Sequence, residues 1–214
     1  MTDAPHMRLR TSPTSPYGRK AHVVVIERGL EPQVEVVSTD PWDPETDLTG
    51  DNPVGKVPTL ILPDGTVLMD SPLVCEYLDW MAPDGPFLIP VAGIDRFAVQ
   101  RIHALADGLI DAAVTRQFDL RRPEELQWQP WRARQEAAIA RICDTLEQEI
   151  GVIAAQPISI GHLTMAIALD YIDLRFPESG WRDAHPGLAA WHAGIRTRPS
   201  LARTVPPGLA AQPQ

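Results

Sequence analysis

A serine stands between a possible short strand at 7–11 and a helical pattern, in the run Ser15-Pro16-Tyr17-Gly18. The first turn of a helix presents unpaired backbone N–H groups and the positive end of the helix dipole, so it stabilises an anion. A serine hydroxyl at that point can donate a hydrogen bond to the same anion, or it can simply cap the helix. The spacing fits both interpretations equally well.

Two further junctions carry residue types suited to holding a peptide ligand. Proline in Val57-Pro58 forfeits a ladder bond, so it belongs at the start or edge of a strand. A cis bond there would turn the Val57 N–H and C=O outward, although an ordinary trans bond is the commoner arrangement. Asp70-Ser71 precedes a helical pattern, with Ser71 suited to the N-cap and Pro72 to the first helical position. Asp70 adds a carboxylate that could receive an ammonium group.

The composition excludes several classes of function. The chain has 214 residues, of which 44% are hydrophobic, and this is enough for one or two domains with a core. A net charge of −9 argues against a nucleic-acid surface. No segment approaches the ~20 apolar residues of a membrane span, and the N-terminus lacks an apolar signal region. We therefore expect a cytoplasmic protein without nucleic-acid or membrane partners.

The cysteines and histidines give little indication of redox or metal chemistry. Cys75 and Cys143 lie in apolar, helical surroundings, which favours buried free thiols over a disulfide. No group of His, Cys and Asp has metal-ligand spacing, so we expect no metal site.

Short strands and helices alternate in the first third of the chain. The order strand, helix, strand, loop, strand, strand, helix predicts a mixed sheet of about four strands in a small α/β domain. The segments are strands at 7–11, 34–37, 57–62 and 66–69, helices at 16–28 and 71–81, and a long surface loop at 40–53.

The remainder of the chain has helical periodicity and no convincing strand. Helices are predicted over 94–120, 128–150, 160–174 and around 188–195. The predicted organisation is therefore an α/β domain at 7–83, a linker at 84–92 and an all-helical domain at 93–210.

Taken in order, these motifs resemble the glutathione S-transferase superfamily. The motifs are SPYGRK, NPVGKVPTL and DSPLVCEYL, followed by the stretch from Ser159 to the WHAGIRTRPS signature. The resemblance covers the chain from about Met7 to Pro206. It implies a thioredoxin-like N-terminal domain followed by an all-α helical bundle.

The resemblance implies that the chain binds glutathione as a cosubstrate. Val57-Pro58 is similar to the family's Val-cis-Pro pair, whose valine main chain pairs with the cysteinyl part of glutathione. Asp70-Ser71 is similar to the acidic-Ser pair that holds the γ-glutamyl end. Ser71 then takes the carboxylate and Asp70 faces the ammonium. Lys56 would neutralise the glycine carboxylate, or it is simply a solvated lysine.

On this resemblance Ser15 occupies the position of the catalytic hydroxyl. A hydrogen bond to a charged group contributes ~1.5–3 kcal/mol, enough to lower the pKa of a thiol by roughly one to two units. Thr14 is the second candidate for this role and Ser12 the third. Both slots that hold cysteine in the CPYC site of glutaredoxins lack sulfur here, so dithiol exchange is excluded.

The expected activity is conjugation of glutathione to a small hydrophobic electrophile, as in detoxification, by a homodimer. A glutathione-dependent isomerase, dehalogenase or ether-cleaving enzyme on the same scaffold is an alternative. A second alternative, from a different functional class, is a non-catalytic module used for binding or assembly. By the resemblance, the electrophile site is lined by Tyr17 and the helix near 102–111. His103, Asp107 and Asp111 could reach it, although a solvated helix face is the preferred interpretation.

One residue departs from the family pattern. The central helix of the family begins with a Ser/Thr N-cap and an Asp three residues later, whereas this chain has Ser159 and His162. A neutral imidazole can accept a hydrogen bond, and we expect a cap weaker by up to ~1 kcal/mol.

Overall fold

The structure, a computed structural model, describes residues 6–82 and 84–209. These residues divide into two compact units. The first runs to residue 91 and includes 202–207, and the second comprises 92–201 with 208–209. The first unit holds the sheet, and the described residues of the second form helices and turns. The predicted fold class, a small α/β domain followed by an all-helical domain, is confirmed.

A four-stranded mixed sheet forms the centre of the first unit. The strand order is β2-β1-β3-β4, in which β1 and β2 are parallel and the other pairs are antiparallel. Helix α1 connects the parallel pair, as a crossover between parallel strands requires. The elements are β1 (Met7–Thr11), α1 (Pro16–Glu27), β2 (Val34–Ser38), α2 (Leu48–Asp51), β3 (Thr59–Ile61), β4 (Val67–Met69) and α3 (Ser71–Met81).

The segment predicted as a long loop contains the one-turn helix α2. Arg10 of β1 is buried, and its guanidinium pairs with Asp47 and Asp51 at the two ends of this turn. Its Nε also donates to Thr39 Oγ1 at 3.1 Å. These partners are distant in sequence, so the turn is held by tertiary contacts that local sequence signals do not reveal.

Within the first unit, the segment 84–91 is held by Asp79 of α3. This carboxylate is buried and accepts hydrogen bonds from Leu88 N–H at 3.0 Å and Ile89 N–H at 2.9 Å. Arg28 Nε lies 3.1 Å from Asp79 Oδ1, and the same guanidinium donates to the Pro86 carbonyl. A buried ion pair therefore organises the stretch that the sequence assigns to a linker.

Helix α6 lies at the centre of the second unit. It is buried from Ile160 through Ile172 on all sides, and this buried stretch includes the polar residues His162, Thr164 and Asp170. At Gly161 an added Cβ would lie 2.9 Å from Ile102 Cβ, so glycine permits the close approach to α4. The helices are α4 (Ile94–Leu120), α5 (Gln129–Ala154), α6 (Ile160–Arg175), α7 (Trp181–Ala184), α8 (Pro186–Ile195) and α9 (Pro199–Ala202). Across the described ranges, no helix is both long and apolar enough to span a membrane.

Candidate functional site

The strand register brings the three predicted junctions to one edge of the sheet. Arg10, near the end of β1, is opposite Thr59, the first residue of β3. Thr59 is also opposite Met69, the last residue of β4. The segments that follow β1, precede β3 and follow β4 therefore leave the sheet at the same edge. These segments contain Ser15 and Thr14, Lys56 to Pro58, and Asp70-Ser71 respectively.

Ser15 is the N-cap residue of α1. Its Oγ accepts a hydrogen bond from Gly18 N–H at 3.1 Å, and its own N–H donates to the Ser12 carbonyl at 3.1 Å. Because Oγ acts as an acceptor in the cap, the hydroxyl proton can still be donated to a ligand. Thr14, one residue earlier, is also half-buried. At Gly18 an added Cβ would lie 2.0 Å from Thr11 Oγ1, so the first turn of α1 requires glycine.

The Val57-Pro58 bond is cis, the arrangement implied by the family resemblance. Both residues are buried, whereas the preceding Lys56 is exposed. Within residues 6–82 and 84–209, neither the N–H nor the C=O of Val57 forms a hydrogen bond. The Val57 main chain therefore offers one donor and one acceptor.

At the start of α3 the N-cap is Asp70, which corrects the prediction that Ser71 caps this helix. The Asp70 carbonyl accepts the first helical bond, from Val74 N–H at 2.9 Å, and its side chain makes no capping bond. Asp70 has a φ of 74°, a strained value for a residue other than glycine and one that clusters at functional sites. Ser71 is buried as the first helical residue, while the Asp70 carboxylate is exposed.

A buried polar pair beside Val57 was not identified from the sequence. Asn52 Nδ2 donates to the Lys56 carbonyl and to Thr59 Oγ1, both at 2.9 Å. The Thr59 hydroxyl in turn donates to the same carbonyl at 2.8 Å. Both residues lie within the motif NPVGKVPTL, but neither was assigned a role from the sequence, and Asn52-Pro53 by itself is only a turn signal.

A cavity of about 180 Å³ lies in the first unit, beside the turn that ends at Ser15. Ser12 and Pro13 form part of its wall, and the Ser15 N–H bond to the Ser12 carbonyl closes that turn. The other lining residues are Thr11, Arg19, His22, Thr204, Val205 and Pro207.

The polar residues of α4 differ in their surroundings. The expectation of a solvated face is wrong for His103, which is only 3% exposed. Its Nδ1 lies 3.1 Å from Gln100 Oε1 and its Nε2 lies 3.2 Å from Asp107 Oδ2. Asp111 is exposed, as expected. Packing against α6, which brings Gly161 close to the His103 backbone, accounts for the difference.

His162 takes part in the start of α6 through its side chain. Its Nε2 faces the Ile153 carbonyl at 2.9 Å and therefore carries the proton. Its Nδ1 is then the acceptor, so the Ser159 hydroxyl donates to it at 2.8 Å. The Ser159 carbonyl accepts the Leu163 N–H at 3.2 Å, but its hydroxyl accepts no bond from a backbone N–H of the helix, in line with the expected weaker cap. Burial lowers the pKa of the His162 imidazole.

Among the residues that the structure describes, one group of possible metal ligands lies in the second unit, where ligand atoms of Asp170, Asp173 and His192 are within 4.8 Å of one another. Arginines already neutralise both carboxylates. Arg196 Nε lies 2.9 Å from Asp170 Oδ1, and Arg182 pairs with Asp173. A cation at this position would face two guanidinium groups, so we interpret the group as an ion-pair network that joins α6 to α7 and α8.

Neither cysteine forms a disulfide and both thiols are buried, as predicted. Burial, with a smaller contribution from the neighbouring Asp144, raises the pKa of the Cys143 thiol to about 12. A thiol with such a pKa stays protonated, so Cys143 is unreactive at neutral pH.

Two family models match the chain, and together they cover more than half of it. Residues 14–80 match the glutathione S-transferase N-terminal domain, and residues 129–194 match the C-terminal domain. A similar curated protein is the uncharacterized GST-like protein YibF of Escherichia coli K12. It is 31% identical over 203 residues, which cover 94% of this chain and 99% of YibF.

Solved structures of bacterial proteins are also similar. A glutathione transferase family member from Pseudomonas fluorescens Pf-5, with bound glutathione, is 39% identical with a TM-score of 0.89. A glutathione S-transferase from Methylobacillus flagellatus KT, also with glutathione bound, is 36% identical with a TM-score of 0.88. Each comparison covers 94% of this chain and 99% of the other.

Proposed function

The chain is a member of the glutathione S-transferase family, and on that premise we propose that it binds glutathione along its first unit and activates the thiol as a thiolate. The observation that carries the proposal is the shared edge of the sheet. A serine at a helix N-terminus, a main chain with an open donor and acceptor, and a second helix N-terminus all lie there. A tripeptide with one thiol and two charged ends matches these three features.

In the proposed complex each end of glutathione meets complementary charge. The Val57 N–H and C=O pair with the cysteinyl residue, as one strand pairs with another. The γ-glutamyl carboxylate lies at the start of α3, where the Ser71 hydroxyl and the helix dipole stabilise it. Asp70, whose carboxylate is exposed, faces the ammonium, and Lys56 lies near the glycine carboxylate.

The proposed catalytic residue is Ser15, which donates its hydroxyl proton to the glutathione sulfur. The negative sulfur also benefits from the N-terminal dipole of α1, because Ser15 caps that helix. Together these interactions lower the pKa of the thiol by roughly one to two units from about 8.5. Thr14 stays the second candidate, since it lies beside Ser15 but does not cap the helix.

The second substrate in this proposal is a small electrophile. The cavity beside the turn from Ser12 to Ser15 supports this proposal, because Ser12 and Pro13 of its wall belong to the turn that leads to Ser15. Conjugation, as in detoxification, is the leading reaction. Isomerisation, dehalogenation and ether cleavage would use the same thiolate.

We propose that the protein is a homodimer, with the first unit of one chain against the second unit of the other. Each unit exposes large apolar side chains of the kind found at interfaces. Leu73 and Trp80 of α3 are exposed in the first unit, and Ile94 and Phe97 of α4 in the second. A reducing cytoplasm suits both the two free thiols and the thiol cosubstrate.

Calorimetric titration with glutathione tests the binding proposal. We expect saturable binding, weakened at least fivefold in Ser71→Ala by loss of one hydrogen bond to a charged group. Ser38→Ala, at an exposed serine at the end of β2, is the matched control and should bind as the wild type does. No binding at millimolar glutathione would contradict the proposal and favour the non-catalytic module.

A further inference from the structure

We propose that Asn52 and Thr59 are positioning residues that orient the Val57 N–H toward glutathione by holding the Lys56 carbonyl. This inference rests on the proposed function, since it assigns how the binding main chain is held in place. It does not concern Ser15 or Thr14, the two residues proposed to contact the thiol.

The Lys56 carbonyl has two donors. Asn52 Nδ2 lies 2.9 Å from its oxygen and the Thr59 hydroxyl lies 2.8 Å from it. The donors are bonded to each other as well, because Asn52 Nδ2 also donates to Thr59 Oγ1 at 2.9 Å. Asn52 and Thr59 are 1% and 0% exposed, so water does not compete for these bonds.

Asn52 is itself fixed on its other side. Its Oδ1 accepts a hydrogen bond from Val54 N–H at 2.9 Å, and its own N–H donates to the Leu48 carbonyl at 2.8 Å. The side chain therefore uses both its donor and its acceptor groups within the turn from 52 to 56. Such a side chain keeps a single orientation, and so does the carbonyl that it binds.

The planarity of the peptide unit transfers this orientation to Val57. The Lys56 C=O and the Val57 N–H belong to one peptide unit, which is planar and, in this protein, trans. In a trans unit the C=O and N–H point in opposite directions. Since the Lys56 carbonyl points to two buried side chains, the Val57 N–H points away from them.

The direction of that N–H decides whether a ligand strand can pair with it. The Val57 N–H has no partner within residues 6–82 and 84–209, so nothing but the peptide plane sets its direction. Rotation of the plane would cost the hydrogen bond to glutathione while leaving Ser15 and the start of α3 unchanged. Loss of the Asn52–Thr59 pair should therefore weaken binding without changing thiol activation.

Two substitutions at Thr59 form a matched pair. Thr59→Val removes the hydroxyl with little change in volume, whereas Thr59→Ser keeps the hydroxyl. We expect the Kd for glutathione to rise about fivefold in Thr59→Val, the effect of one hydrogen bond, and to stay within twofold in Thr59→Ser. Calorimetry gives the Kd, and ultraviolet titration of the bound thiol gives its pKa, which should be the same in both variants and the wild type.

Asn52→Asp is the second variant. It keeps the acceptor for Val54 N–H and removes both donors, so glutathione binding should weaken at least as much as in Thr59→Val. Thermal unfolding of each variant confirms that it is folded at the assay temperature. In amide NMR spectra, the Val57 resonance should shift in both weakened variants and stay near its wild-type position in Thr59→Ser.

The outcomes separate this inference from the proposed function. If the wild type does not bind glutathione, the proposed function fails. If the wild type binds and Thr59→Val binds equally well, with only its thermal stability reduced, the pair has a purely structural role and the inference is overturned. Equal weakening in Thr59→Ser and Thr59→Val would overturn it too, because the hydroxyl would then be irrelevant.

Discussion

At the scale of single residues, Ser15 combines two roles that do not compete. Its oxygen accepts the Gly18 N–H and caps α1, while its proton can be donated to a bound thiol. The local sequence predicted the cap, because serine followed by proline is a common helix start. The Asn52–Thr59 pair could not be predicted in the same way, since each donor acts on a carbonyl that only the folded turn brings near.

His162 should make the stability of the protein depend on pH. Burial lowers its pKa in the folded state, so below its ordinary value near 6.5 the unfolded chain binds the proton more readily. This contribution to stability is complete above pH 6.5 and is lost as pH falls toward the folded-state pKa. We predict that the free energy of unfolding, from denaturant titrations, decreases between pH 7.5 and pH 5.5.

The substitution His162→Asn isolates this effect, because asparagine can accept the Ser159 hydrogen bond but does not titrate. The decrease should be smaller in the variant than in the wild type. His22, whose pKa is also lowered by burial, contributes with the same sign in both proteins, so only the difference between them is informative. An identical decrease in the free energy of unfolding in both proteins would contradict the assignment of this pH dependence to His162.

At the scale of elements, tertiary contacts decide several structures that the local sequence leaves open. The helix α2 is a single turn whose ends are held by Arg10 from another strand, so the sequence indicated only a loop. The cap of α3 was placed one residue too late, because Ser71 has the higher capping preference but Asp70 has the non-helical backbone. The long helices α4 and α6 were predicted closely, since their apolar periodicity extends over many turns.

The buried pair of Asp79 and Arg28 should dominate the stability of the segment 84–91. Asp79→Asn removes the charge and leaves the buried Arg28 guanidinium without a charged partner, a change that costs about 3–5 kcal/mol. Denaturant unfolding measures this loss. Asp84→Asn, at an exposed position of the same segment, is the control and should change stability by no more than about 0.5 kcal/mol. If the two substitutions lowered the free energy of unfolding by similar amounts, the buried pair would not dominate the stability of this segment.

At the scale of the whole molecule, the order of strands and helices was predictable from the sequence. The two-part pattern of a mixed sheet followed by helices follows from hydrophobic periodicity and turn residues. Some apolar side chains, such as Trp80 and Phe97, are exposed in the structure. Their exposure could not be predicted from the sequence, because their positions there resemble core positions.

The proposed dimer predicts that charge on either exposed face separates the chains. Trp80→Glu and Phe97→Glu should each shift the mass in sedimentation equilibrium from about twice that of the 23.6 kDa chain toward that of one chain. Leu126→Glu, at an exposed apolar residue near the start of α5, is the control and should stay dimeric. A wild type that sediments as a single chain would contradict the dimer.

The pKa of the glutathione thiol in the complex tests the central claim most directly. Ultraviolet absorbance of the thiolate, followed against pH in saturated protein, measures it in the wild type, Ser15→Ala and Thr14→Ala. We predict a pKa roughly one to two units below that of a free thiol in the wild type and Thr14→Ala, and a value returned most of the way to about 8.5 in Ser15→Ala. Loss of the cap costs Ser15→Ala about 1 kcal/mol of stability, which its unfolding curve will show. A Ser15→Ala complex that titrates like the wild type would contradict the assignment of Ser15.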